Sequence, residues 1–126
     1  MNYKLLFKLS VLGMLLAFAT VYFIPSTIEP FFWAMIFTFN AFIISNKCSE
    51  KYFLSGLVLG LLNGGWTLLV HLFLFNDYVA NHPEEMTQLG DSPKQMLIIS
   101  GLVITIFSGI MQGFFTFIIS KLNRKA

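Results

Sequence analysis

The chain has 126 residues, 56% of them hydrophobic and only 11% charged, with a formal net charge of +2. An ordinary soluble domain carries about 25% charged residues, so the composition excludes a water-soluble globule of the usual kind. The apolar residues fall into four runs, Leu5 to Ile24, Ile28 to Ser45, Phe53 to Phe75 and Met96 to Ser120, and each approaches or exceeds the roughly 20 residues that cross a bilayer core. The expected fold class is an all-α membrane protein: one domain over residues 1–126, a four-transmembrane-helix antiparallel bundle.

The first segment opens with Lys4 and Lys8 and reaches Ala17, Phe18 and Ala19, a pattern shared with signal peptides and their small-residue cleavage sites. Apolar sequence continues through Thr20 to Ile24, so a full span is the expectation. Pro25 ends this helix. Ser26 with Glu29 three residues later reads as a capping box for the second segment, and Pro30 falls early enough in that helix not to break it. Asn40 lies inside the second segment. The link that follows holds the only cysteine, Cys48, which without a second cysteine forms no internal disulfide and is expected as a free thiol.

The third segment carries Gly56, Gly60 and Gly64 at four-residue spacing, with Asn63, Thr67 and His71 on the same face. Between residues 76 and 92 lies the one sizeable polar connection. There Asn81 or His82 can cap a short amphipathic helix with Pro83, Glu84 and Glu85 in its first turn and Gly90 stopping it. Asp91 or Ser92 then caps the fourth segment, with Pro93 at its start. That segment repeats the small-residue design with Gly101, Thr105, Ser108, Gly109, Gln112, Gly113 and Thr116. Leu54 to Gly64 and Ile99 to Gly109 match at five of eleven positions, although Gly, Ser, Leu and Val recur in any packed membrane helix, and chance explains the match better than an inverted repeat.

Basic residues resist translocation, which makes the flanks readable as topology. Lys4, Lys8, Lys47, Lys51, Lys121, Arg124 and Lys125 fall on one side, and subtracting Glu50 leaves +6; Lys94 against Glu29, Asp77, Glu84, Glu85 and Asp91 leaves −4 on the other. Both termini are therefore expected in the cytoplasm, in a multi-pass protein of the bacterial inner membrane. Tyr3 and Tyr52 mark the inner interface and Tyr22, Trp33 and Tyr78 the outer, while Trp66 lies within the third segment. This segregation accounts for the net charge, and no nucleic acid is expected as a partner.

Asn63 and Gln112 lie roughly 12 to 14 Å deep from the cytoplasmic side at 1.5 Å per residue, and Asn40 about 9 Å. They are expected to bond one another, as interhelical glue worth about 0.6 kcal/mol per bond or as a polar lining. The residues singled out for packing or a polar path are Asn40, Gly56, Gly60, Asn63, Gly64, His71, Gly109, Gln112 and Gly113. His71 with Asp77, His82, Glu84 and Glu85 offers imidazole and carboxylate ligands, but the spacing fits no ligand motif, and a neutral packed His71 is favoured. No metal or other cofactor is expected. Phosphate-cradling glycine loops, HExxH and nucleophile motifs are absent from the sequence, so the chain is not expected to be an enzyme.

The polar outer loop with Asn81, His82, Pro83, Glu84 and Glu85, the glycine-rich last segment and the basic tail Leu122 to Lys125 together resemble the domain-of-unknown-function families of small four-span bacterial membrane proteins. That resemblance implies the fold and no activity. Small multidrug-resistance transporters have similar size but depend on a glutamate in the first helix, which has no acidic residue here. Fluoride channels insert in both orientations, against the seven-to-one bias of basic residues here. The expected role is a non-enzymatic structural, accessory or interaction protein, whose partners are the lipid bilayer and a second copy or another membrane protein. The alternative is a small oligomeric transporter or channel.

Overall fold

The computed structural model describes residues 2–25, 27–88 and 90–125. Among them every regular element is a helix: α1 (Tyr3–Tyr22), α2 (Glu29–Lys47), α3 (Tyr52–Phe73), α4 (Phe75–Asn81), α5 (Pro83–Gln88) and α6 (Pro93–Lys125). The Asn2 side chain caps α1 by accepting from the Leu5 N–H at 3.1 Å, and the helix closes when the Phe23 N–H bonds to the Ala19 carbonyl. The capping residue expected for α2, Ser26, lies outside the described residues. Ile28 holds the N-cap position without a side-chain bond, and the Glu29 carboxylate instead accepts from Trp33 Nε1 at 3.1 Å. Lys51, at φ 55°, turns the chain into α3 through the left-handed region, a conformation that costs a non-glycine residue about 1 kcal/mol or more.

The third apolar run does not continue to Phe75 as one helix. Leu74 ends α3 and starts α4, so the expected single short helix of the connection is two, α4 and α5. Neither Asn81 nor His82 turns its side chain toward α5: the Asn81 amide donates to the carbonyls of Val21 and Asp77, and His82 Nδ1 donates to the Tyr78 carbonyl. Gly90 adopts φ 76° beyond α5. The fourth run is extended at both ends into a helix of 33 residues, about 50 Å long and well beyond a bilayer core of about 30 Å.

Three of these helices are long and apolar enough to cross a membrane: Tyr3–Tyr22, Tyr52–Phe73 and Pro93–Asn123. They mark the chain as a membrane protein. α2 is as long as α1 within a residue, but Glu29, Pro30, Asn40 and Asn46 dilute its apolar character. Large apolar side chains point outward, with Phe73, Phe31, Val103 and Phe107 all more than half exposed, whereas Ser10, Thr20, Asn40, Ser55, Asn63, Gln112 and Thr116 are buried. This inside-out distribution suits a lipid environment, where helices gain nothing by hiding leucine.

α3 and α6 form the central pair. Gly56 faces Gln112 and Gly113, Gly60 faces Gly109, Gly64 faces Thr105, and Leu68 faces Gly101. The antiparallel register thus advances four residues on one helix as it retreats four on the other. α1 packs on α3 and α2 packs on α6, while α1 and α2 touch little. The spatial order is α1–α3–α6–α2. Leu6, Leu9, Ile44 and Leu59 form a core cluster at the end carrying both chain termini, and Ala17, Val21, Val70, Tyr78 and Leu97 form another at the opposite end. We call these the basic and acidic poles.

A Cβ on Gly60 would lie 2.5 Å from Gly109 Cα and 2.6 Å from the Ser108 carbonyl oxygen. Both are backbone atoms and cannot yield without moving the helices apart. Gly65 has open space at the same test. Gly60→Ala is therefore expected to lower the melting temperature in detergent, at a cost of about 1–3 kcal/mol, and Gly65→Ala to leave it unchanged or slightly raised. Equal melting temperatures for the two variants would contradict this seam.

Candidate functional site

The glycines of the seam decide where the buried amides point. Gly64 occupies the line of α3 facing α6, so Asn63, 100° away around the helix, turns toward α1. Its amide packs against Gly13 so closely that no Cβ fits there. On α6, Gly113 faces Phe53 of α3, and Gln112 turns correspondingly toward α2. Its Nε2 donates to the Phe37 carbonyl at 3.0 Å and, more weakly, to Thr116 Oγ1 at 3.4 Å. The bond expected between Asn63 and Gln112 is not formed, because equal depth in the membrane does not imply equal direction around the helix.

Asn40, Gly56, Gly60, Asn63, Gly64, His71, Gly109, Gln112 and Gly113 are all buried. They do not make one cluster. Asn63 belongs to the α1–α3 contact, Gln112 to the α2–α6 contact, and the five glycines to the α3–α6 seam. Both polar atoms of the Asn40 and Asn63 amides, with Ser55 Oγ and Gln112 Oε1, are buried without a hydrogen-bond partner. An amide placed this way is a weak glue.

Stronger ties join Trp66 and His71 to hydroxyls of α1 that the sequence did not mark as partners. Trp66 Nε1 donates to Ser10 Oγ at 3.1 Å, and Ser10 in turn donates to the Phe7 carbonyl. Thr20 Oγ1 lies 2.9 Å from His71 Nε2 and spends its proton on the Ala17 carbonyl at 2.7 Å. The hydroxyl therefore receives from His71, which assigns the proton to Nε2. Ser10, Gly13, Ala17 and Thr20 are all buried on α1. Their spacing of three, four and three residues is a small-residue stripe, visible in the sequence but unmarked by a glycine repeat.

His71 also stacks on Tyr78 with ring centroids 4.2 Å apart, and Tyr78 stacks on His82 at the same separation. Tyr78 is thus buried between the two imidazoles. Asp77 accepts from Tyr22 at 2.8 Å. The expected alternative of a metal site loses its parts to these separate bonds: among the described residues no three His, Cys, Asp or Glu side chains gather, and the Glu85 side chain lies outside them.

Where α2, α3 and α6 do not close on one another they enclose a cleft of about 710 Å³. Phe37 and Phe115 meet edge to face at its inner end, 5.8 Å between centroids. Leu68, Ile104, Phe107 and Met111 supply apolar walls, and Glu29, Trp33, His71 and Tyr78 line the part toward the acidic pole. The hydroxyls of Thr67, Ser100 and Thr105 border the cleft and donate back to carbonyls of their own helices. They present acceptor lone pairs rather than free protons. Among the described lining residues there is one carboxylate and no lysine or arginine.

Comparison with protein families, curated proteins and solved structures found no match.

The two buried amides of α3 and α6 should respond differently to removal. Gln112→Leu breaks a side-chain bond from α6 to the α2 backbone and is expected to lower thermal stability in detergent by about 0.6 to 1.7 kcal/mol. Asn63→Leu removes two unpartnered polar atoms and is expected to be neutral or stabilising. A larger loss in Asn63→Leu than in Gln112→Leu would reverse the assignment.

Proposed function

We propose that this chain is a four-span protein of the bacterial inner membrane with both termini in the cytoplasm, and that it acts without catalysis, by binding a component of the membrane. α2 serves as the fourth span. Its 19 residues reach about 28 Å, enough for a bilayer core. The basic pole faces the cytoplasm in this orientation, since Lys4, Lys8, Lys47, Lys51 and Lys121 belong to it.

The cleft between α2, α3 and α6 carries the functional reading. Its volume lies within the roughly 300–1,000 Å³ of small-molecule sites, and its apolar walls with a few polar groups are their usual lining. Its described lining groups suit binding: one carboxylate held by Trp33, the hydroxyls of Thr67, Ser100 and Thr105 committed to backbone carbonyls, and aromatic rings. A second reading, an oligomeric transporter or channel with a path along α2, α3 and α6, is favoured by buried polar atoms of those helices that lack a hydrogen-bond partner, the Asn40 amide and Gln112 Oε1.

The single cysteine makes the orientation directly testable. In intact spheroplasts Cys48 is expected to resist a membrane-impermeant maleimide, whereas Glu84→Cys in a Cys48→Ser background is expected to react. The opposite pattern would invert the topology. Native mass spectrometry of the solubilised chain separates the two readings: a monomer retaining a membrane component supports the accessory role, and a defined ligand-free oligomer supports the transporter.

A further inference from the structure

We infer that the α2–α6 contact holds a buried site, between the Asn40 and Gln112 amides, for one small neutral molecule that both donates and accepts hydrogen bonds. The site lies beyond the cleft and within a single chain, so it depends neither on what the cleft binds nor on assembly. Its first support is neighbourhood. Gln112 Nε2 is held at the Phe37 carbonyl, 3.0 Å away. Asn40 stands three residues after Phe37, the spacing at which Ser10, Ser45 and Ser120 reach carbonyls of their own helices. The Asn40 side chain therefore lies beside the carbonyl where Gln112 docks. Both residues are fully buried.

The second support is what these amides leave unused. Gln112 Oε1 has no hydrogen-bond partner, and neither polar atom of the Asn40 amide has one. The bond to Phe37 fixes which end of the Gln112 amide is which, because the reverse placement would set two carbonyl oxygens against each other. For Asn40 the placement is immaterial, since both ends are bare. Two carbonyl oxygens and one NH2 group thus share one neighbourhood without bonding to each other, and buried groups in that state mark a bound water or another guest. The Asn63 amide is also bare, but α1 closes over it at Gly13.

Chemistry selects the guest. Between Lys8 and Tyr22, Glu29 and Lys47, Tyr52 and His71, and Lys94 and Lys121 the sequence has no acidic residue, no lysine or arginine and no histidine. A charged guest would be buried there without a counter-charge, so the guest is neutral. An apolar molecule would leave all three groups bare, and a ketone or ether, having only acceptors, would satisfy the NH2 group alone. Water and primary amides supply both a donor and an acceptor. Phe37 gives the route. Its ring meets Phe115 at the inner end of the cleft while its carbonyl holds Gln112, so entry from the cleft requires that ring to turn aside.

The test is solution NMR of the isotope-labelled full chain in maltoside micelles, read at the side-chain NH2 of Asn40. A rotating-frame Overhauser cross-peak from that group to water is expected, with the sign that marks proximity rather than proton exchange. Added acetamide distinguishes the sources: a water peak that persists identifies water, and its replacement by a peak to the acetamide methyl identifies a solute amide. The peak is expected to survive Thr116→Val, which removes the exchangeable hydroxyl in contact with Gln112, and to be lost in Gln112→Leu. Absence of a peak to both water and acetamide, its loss in Thr116→Val, or its undiminished persistence in Gln112→Leu would overturn the assignment. Melting temperatures give an independent readout. With a shared guest, Asn40→Leu lowers the melting temperature, and combining it with Gln112→Leu lowers it by less than the sum of the two single losses. A bare Asn40 amide predicts the opposite sign, so an unchanged or raised melting temperature in Asn40→Leu, or strict additivity, would also overturn it.

Discussion

The rest of the structure depends on the close approach of α3 and α6. In lipid the helices gain no burial of apolar surface by associating, so contact has to come from dispersion between atoms that actually touch. Gly56, Gly60 and Gly64 on one side and Gly109 and Gly113 on the other remove the side chains that would hold the backbones apart. Everything bulkier is displaced to the flanks of that seam. Asn63 turns to α1, Gln112 turns to α2, and the two outer helices take their places against what the seam pushes aside.

Polar groups are handled differently at the two kinds of contact. Apart from Ser55, whose buried hydroxyl has no partner, the buried serines and threonines donate to carbonyls three or four residues earlier in their own helices, which makes them nearly self-sufficient in an apolar medium. The amides of Asn40 and Asn63 have no such local outlet and stay unpartnered, a state that disfavours the fold by about 1–3 kcal/mol for each group. Histidine and tryptophan reach across instead. Trp66 and His71 both bond to hydroxyls of α1, and this explains why α1 follows α3 so closely, while α2 is held by Gln112, by the Asn123 amide donating to Ser45 Oγ and by aromatic contact.

Helix existence and the α3–α6 seam were legible in the sequence, because apolar run length and four-residue glycine spacing report directly on lipid solvation and backbone approach. The direction of Asn63 was not. Depth follows from counting residues along one helix, but azimuth depends on which face the neighbours occupy, and that requires knowing the partner. The α1 stripe of Ser10, Gly13, Ala17 and Thr20 escaped notice because four different residue types carry it. The break at Leu74 is likewise silent in a run where Phe73, Leu74 and Phe75 are uniformly apolar. The cleft could not be read at all, because it depends on where α2, α3 and α6 fail to close on one another; Glu29, which looked like a capping residue, accepts from Trp33 one turn away and lines it.

The interleaved order α1–α3–α6–α2 has a consequence for how the chain is made. A ribosome delivers α1 and α2 together, yet these two scarcely touch, so the first hairpin has little to hold it. α1 gains its partner when α3 emerges. α2 must wait for α6, with Asn40 and Glu29 on its surface and no neighbour to cover them, until almost the whole chain has been synthesised. The last helix is thus the one that completes the fold for the second. A chain stopped before α6 strands α2 and loses the central seam together, which makes the C-terminal third the checkpoint that quality-control proteases in the membrane would sense.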